Sequence, residues 1–129
     1  MSGETHLTML LRTLSPERQR GEFVYVTVPT LRPELDPVLA FREREGWTLV
    51  LAREVAEAAG IDATFHCAWL TLGVHSSLQA VGLTAAVADA LADAGIACNA
   101  VAAYYHDHLF VPLDRADEAI EILRRLSRS

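Results

Sequence analysis

A short polar segment, His75-Ser76-Ser77, lies between a strand predicted at residues 69–74 and a helix predicted at residues 80–94. The first N–H groups of a helix have no partner inside the helix and carry partial positive charge, so a helix start can bind a carboxylate. The candidate donors are the N–H groups of Gly82, Leu83 and Thr84 and the hydroxyls of Ser76, Ser77 and Thr84. Capping of the helix by the two serines accounts for the same residues, and the sequence leaves both interpretations open.

Two histidines, His106 and His108, form a second group that could do chemistry, because residues at i and i+2 share a face in an extended strand. With His75, Asp107 or Cys98 they could bind a metal ion. His-x-His alone is a weak signal, however, and the remaining ligands are of mixed type at unconvincing spacing. Asp107 is equally well explained as the turn residue of a β-hairpin. We predict no metal site and no cofactor.

A nucleophile is conceivable at Cys67, Cys98, Ser76 or Ser77, with a histidine as its base. The sequence contains no Gly-x-Ser-x-Gly elbow and shows no orienting acid, and Cys98 lies in an apolar run that suits a small buried thiol. Phosphate-loop and dinucleotide-binding glycine patterns are also missing from the sequence. We therefore predict no catalytic residue.

The elements that would position these residues form a β-α-β-β-α pattern in the second half of the chain. The strands are predicted at 69–74, 96–104 and 109–112, and the helices at 80–94 and 114–126. In the first of these helices Leu83, Val87 and Leu91 recur at i, i+4 and i+8, which predicts a buried stripe. Asp89 and Asp93 fall on the opposite side, which is predicted to face solvent.

The first half is less regular. A helical segment is predicted around Leu7, Leu10, Leu11 and Leu14, strands at 22–28 and 47–52, and helices at 36–45 and 53–59. Asp36 is predicted to cap the helix at 36–45 with Pro37 in its first position, and Gly46 to end it. Both halves end a helix with Ala-Gly-Ile. This is consistent with an internal repeat, although Ala-Gly-Ile is also a common helix ending.

Composition limits the function classes further. The 129 residues suffice for one domain or two very small ones, and 51% hydrophobic residues provide a core. The net charge of −6 argues against nucleic-acid binding. The apolar runs are far shorter than the roughly 20 residues of a membrane span, and the N-terminal residues lack a signal-peptide pattern. Two cysteines fit a reducing compartment, so a cytoplasmic location is predicted.

Two segments in the second half resemble an ACT domain: VHSSLQAVGLTAAVADALADAGIACN (Val74 to Asn99) and AYYHDHLFVP (Ala103 to Pro112). The narrower resemblance is to small bacterial proteins in which ACT-like halves occur in tandem, distantly similar to the cytosolic arginine sensor. In the first half, GEFVYVTVP (Gly21 to Pro29) and FREREGWTLVLAREVA (Phe41 to Ala56) are similar to the degenerate partner half.

The resemblance implies an α+β fold, a ferredoxin-like βαββαβ sandwich in which two ACT-like halves share an antiparallel sheet. It implies a degenerate ACT-like half at 1–65, an ACT domain at 66–129, and no catalytic machinery. Its ligand would lie at the start of the first helix. Carried onto this chain, the ligand-binding residues are His75, Ser76, Ser77, Val81, Gly82, Leu83 and Thr84. Asn99 could add a contact from the facing strand, and Asp107 could select a basic side chain.

We therefore expect a small-molecule-binding regulatory protein that is not an enzyme, with an amino acid as ligand and a homodimer as the assembly. Neither a nucleic acid nor a membrane is expected as a partner. Two alternatives remain open at this point. One is a structural or protein-interaction module with a vacant site, and the other is a small metal-binding enzyme that uses His106 and His108.

Overall fold

The structure, a computed structural model, describes residues 6–74 and 81–128. The helices are α1 (Leu7–Arg12), α2 (Arg53–Ala58), α3 (Leu83–Asp93) and α4 (Ala116–Arg128). The strands are β1 (Pro16–Arg18), β2 (Phe23–Val28), β3 (Leu39–Glu43), β4 (Gly46–Ala52), β5 (Thr64–Leu72), β6 (Asn99–Ala102) and β7 (Asp107–Pro112). These elements form two compact units, residues 21–67 and residues 6–20 with 68–128.

The unit at residues 21–67 is a sheet in the order β3-β4-β2, followed by the first residues of β5. β2 pairs antiparallel with β4, from Phe23 opposite Ala52 to Val28 opposite Trp47. Alternate residues of a strand share a face, so one face of this sheet carries the core. That core contains Val24, Val26, Val28, Leu35, Leu49, Leu51 and Ala56. Ala56 brings α2 onto this face.

The prediction of a helix at 36–45 is wrong, because residues 39–43 of this segment form strand β3. β3 pairs antiparallel with β4, from Leu39 opposite Val50 to Glu43 opposite Gly46. Asp36 does not cap a helix but adopts a left-handed backbone with φ 51° after a short 3-10 turn, Pro33–Leu35. Gly46, expected to end the helix, has φ 148° and completes the hairpin turn. Pairing with a distant strand has overridden the local helix signals.

The second unit contains a sheet in which β1 pairs with β5, and β7 and β6 follow on. α3 and α4 pack on one face of this sheet together with α1. The path β5-α3-β6-β7-α4 confirms the predicted β-α-β-β-α pattern. β1, an antiparallel partner of β5, adds the strand that completes a βαββαβ arrangement. The predicted division of the two ACT-like halves at residue 65 stays a prediction.

The core of the second unit lies between the sheet and the helices. Leu83, Val87 and Leu91 are buried in it, as their spacing predicts, whereas Asp89 and Asp93 are exposed. The largest side chains on the sheet side are Leu70, Leu72, Leu109 and Val111, and α1 adds Leu10 and Leu14. Burial of this apolar stripe is what attaches α3 to the sheet. Among the described residues, no helix is long and apolar enough to cross a membrane.

Candidate functional site

Gly82 marks the start of α3, where the sequence predicts a ligand. It is the residue before the helix, with φ 99° and ψ −19°, and within residues 6–74 and 81–128 no side chain caps the helix there. The first helical hydrogen bond runs from the Ala86 N–H to the Gly82 carbonyl oxygen, at 2.9 Å. A Cβ atom at Gly82 would lie 3.3 Å from Leu7 Cδ2. The positive φ and the approach of Leu7 therefore both account for glycine at this position.

The residues around Gly82 differ in what they can offer a ligand. Val81 is 84% exposed, Thr84 is exposed, and Leu83 is buried with 3% of its surface accessible. Leu83 thus contributes a backbone N–H group to this region, while its side chain belongs to the core. The predicted ligand residues His75, Ser76 and Ser77 lie outside the described residues.

Asp107 is a buried acid at the first position of β7, with 7% of its surface accessible. It is not the turn residue of the hairpin: the turn is closed by a hydrogen bond from Ala103 N–H to the His106 carbonyl oxygen, and Asp107 pairs with Ala102 in the strand. Alternation along β7 places it on the same face as Leu109, towards the helices. Burial raises the pKa of the Asp107 carboxyl, and the charge of His106 opposes part of that rise.

His106 ties the β6–β7 turn to the end of β5. Its Nδ1 lies 3.3 Å from the carbonyl oxygen of Val74, which can accept only from a protonated nitrogen. Val74 comes directly before the polar segment 75–77. Asp107 therefore lies at the end of the sheet from which the chain leaves β5 towards α3.

Asn99, the other predicted contact, lies on a different face. It pairs with Phe110 across β6 and β7, and it is exposed. Because Phe110 and Asp107 are an odd number of residues apart, the side chains of Asn99 and Asp107 lie on opposite faces of the sheet. The structure does not bring these two residues together, and the role of Asn99 in a ligand site stays a prediction.

His108 belongs to a chain of hydrogen bonds that is not predicted from the sequence. Its Nδ1 lies 3.0 Å from Trp69 Nε1 and 3.0 Å from Thr71 Oγ1. The Thr71 oxygen in turn accepts a hydrogen bond from Gln19 Nε2 at 2.9 Å. Trp69 and Thr71 are two residues apart in a strand, so the sequence indicates that their side chains share a face. It does not indicate that His108 is their partner, because that depends on which strand pairs with β5.

The described histidines and cysteines show no metal-binding arrangement. The His106 and His108 rings are 6.4 Å apart, and within residues 6–74 and 81–128 no three His, Cys, Asp or Glu side chains are placed to hold a metal ion. Burial raises the pKa of Cys67 to about 12, and it also raises the pKa of Cys98. Both thiols are therefore protonated and poorly nucleophilic near neutral pH.

The strand order, the helices on one face and the antiparallel pairings are those of a ferredoxin-like α+β fold, as predicted. This fold is typical of small regulatory domains. Two ACT domain models match the chain in tandem, at residues 2–68 and 64–125. The chain therefore belongs to the ACT domain family, and the resemblance stated from its sequence is confirmed.

Solved structures give the same result. The chain is 44% identical to a Vibrio cholerae protein of unknown function described as a possible transport protein, covering 94% of this chain and 95% of that one with a TM-score of 0.85. An Agrobacterium tumefaciens protein is 14% identical, covers 87% of each chain and has a TM-score of 0.72. The regulatory subunit of aspartate kinase from Thermus thermophilus is 9% identical, covers 88% of this chain and 97% of that one, and has a TM-score of 0.63. The last two likenesses concern the fold alone. A comparison with curated protein sequences found no match.

Proposed function

We propose that this ACT protein is a regulatory module that binds an amino acid at the start of α3 and has no catalytic activity. ACT domains are regulatory modules, and the fold is shared with a regulatory subunit of aspartate kinase. The proposed ligand residues are those named from the sequence, including the segment 75–77. The two free cysteines support a cytoplasmic location.

The buried Asp107 carboxylate is the observation that carries this proposal. Only 7% of its surface is accessible, and burial raises the pKa of its carboxyl, although the charge of His106 opposes part of that rise. Burying a charged carboxyl costs free energy, which a ligand's ammonium group could offset on binding. Asp107 thus provides an acidic group at the end of the sheet where the chain leaves β5 towards α3.

The start of α3 offers the opposite charge. Gly82 itself has no side chain to cap the first N–H groups of α3, and a helix of 11 residues has a positive end there. An amino acid carries one carboxylate and one ammonium group. We infer that the helix start would receive the carboxylate and Asp107 the ammonium group.

A calorimetric and thermal-shift comparison with the twenty amino acids tests the proposal. A ligand present at 100 times its Kd adds about 2.7 kcal/mol to the stability, or several degrees in Tm. Asp107→Asn keeps the shape of the side chain and removes its charge, so it should abolish the ligand-induced shift. Asp89→Asn, on the exposed side of α3, is the matched control and should retain it. If no amino acid shifts the parent protein, the proposal fails.

We also propose that the protein forms a homodimer, and exposed apolar side chains support this. Tyr104 and Tyr105 are 62% and 64% exposed in the β6–β7 turn, and Phe41 on β3 is 64% exposed. Exposed aromatic side chains often mark contact surfaces. Light scattering should then give twice the mass of 14.1 kDa. A monomer that also ignores every amino acid would favour the alternative, a module that docks a different protein.

A further inference from the structure

The side chains of Gln19, Thr71, Trp69 and His108 form a polar chain across β1, β5 and β7 in the second unit. They lie on the sheet face away from the helices, because the alternating residues Leu70 and Leu109 face the helical core. This chain is separate from the start of α3 and from Asp107. The amino-acid site proposed above therefore does not use it.

The direction of each hydrogen bond in the chain follows from its donors. An indole nitrogen can only donate, so Trp69 Nε1 donates to His108 Nδ1 over 3.0 Å. Thr71 Oγ1 accepts from Gln19 at 2.9 Å, and its own hydrogen is then directed to the same Nδ1 at 3.0 Å. A nitrogen that accepts two hydrogen bonds carries no proton. His108 is therefore neutral, with its ring proton on Nε2.

A proton added to His108 at Nδ1 would point at the Trp69 N–H group. Thr71 can adapt, because a hydroxyl can reverse and accept a hydrogen bond, but the indole cannot. The Trp69 ring must then leave its bond to His108. The Trp69 ring also contacts Phe110, whose ring centroid is 6.4 Å away at an angle of 26°.

We propose that His108 is a proton-operated latch on Trp69, so that protonation of the imidazole releases the indole and loosens β5 against β7. This device goes beyond amino-acid binding, since it makes the second unit respond to mildly acidic pH. In neutral solution the latch is closed, and one nitrogen atom of β7 holds two side chains of β5.

Other titratable groups lie around His108. His106 is 6.4 Å away between ring centroids, and Asp107 is adjacent in sequence but points to the other face. Glu17 on β1 lies opposite Thr71 on the same face, and Val101 lies opposite His108 on β6, which carries no titratable side chain. Burial lowers the pKa of His108, and the charge of His106 lowers it further.

Tryptophan fluorescence tests the latch directly. The chain has two tryptophans, so Trp47→Phe leaves Trp69 as the reporter. Between pH 8 and 4.5, the Trp69 emission should change in one transition below about pH 6.5, the ordinary histidine value. His108→Gln in this background should remove the transition, and His106→Gln, the matched control, should retain it. A constant emission, or the same transition without His108, would overturn the proposal.

Nitrogen NMR of labelled histidines tests the latch without altering His108. At pH 7.5 the His108 ring should carry its proton on Nε2. Trp69→Phe removes the opposing N–H group while keeping an aromatic ring, so the midpoint of the His108 titration should move to higher pH. Trp47→Phe should leave the midpoint unchanged. A proton on Nδ1 at neutral pH, or an unchanged midpoint in Trp69→Phe, would contradict the latch.

Discussion

The two units share a strand order but differ in the helix that follows the first strand. In the second unit β5 leads to α3, which is 11 residues long, whereas in the first unit β2 leads to a 3-10 turn of three residues, Pro33–Leu35. Leu35 is 5% exposed and occupies the first core from this turn. A core therefore forms in the first unit without this helix, whereas a ligand site at a helix start requires one. That the first half is degenerate stays a prediction.

The largest expected effects come from leucines that fill the two cores. Leu91→Ala, in α3, should lower the free energy of unfolding by about 3 kcal/mol, because it leaves a cavity in a fully buried position. Leu35→Ala should lower the free energy of unfolding by about 2 kcal/mol if the 3-10 turn replaces the helix as a core element. Urea denaturation followed by circular dichroism measures both. A negligible change in the free energy of unfolding for Leu35→Ala would show that this turn does not replace a helix in the core.

A somewhat smaller effect is expected at Gly46, where the first unit makes its hairpin. A Cβ atom there would lie 2.8 Å from the Val28 carbonyl oxygen, and φ is 148°, so Gly46→Ala should destabilise by roughly 2 kcal/mol or more. Gly60→Ala is the matched control, because its φ of 67° is unfavourable but nothing lies within 4 Å. Its cost should be about 1 kcal/mol. Equal denaturation midpoints for the two variants would contradict the close contact at Gly46.

Asp107→Asn should stabilise the second unit at pH 7.5. A carboxyl whose pKa is raised by folding favours the folded state only when protonated, and this contribution is lost as pH rises through the folded pKa. The amide carries no such charge, so the Tm difference between variant and parent should shrink as pH falls towards the ordinary value of 3.8. Thermal unfolding of both proteins at several pH values measures this Tm difference. A lower Tm for the variant at pH 7.5 would mean that Asp107 has a stabilising partner.

The smallest effect concerns the two thiols and leaves stability unchanged. Because burial raises the pKa of Cys67 to about 12 and also raises the pKa of Cys98, neither should react quickly with a thiol reagent at pH 8. Cys67 is fully buried and Cys98 half-buried, so Cys98 should react first. Timed labelling with mass spectrometry distinguishes them. Fast labelling of Cys67 in the native protein would show that its strand opens readily.

Local patterns predicted the elements that local physics determines. The spacing of Leu83, Val87 and Leu91 was enough for α3, since a buried stripe needs only one helix period. The Asp36-Pro37 capping pattern led to a wrong helix prediction, because β3 forms by pairing with β4. Strand β1 was not predicted, because its three residues carry no strand pattern of their own. The partners of His108 depend on the register of several strands, which one strand cannot reveal. For the ligand site, the role of Asp107 stays a prediction, and its burial could not be read from the sequence because it depends on the packing of the helices on the sheet.

The pairing of β1 with β5 has a consequence for the order in which the protein can fold during synthesis. Residues 16–18 are translated early, yet their partners are residues 70–72, and the neighbouring α1 packs against α4 near the other end of the chain. At ribosomal rates of 5–20 residues per second, roughly 5 to 20 s separate the two ends of this unit. Residues 21–67 can fold in that interval. Residues 16–18, although translated before their partners, would thus be among the last of this unit to reach their native contacts.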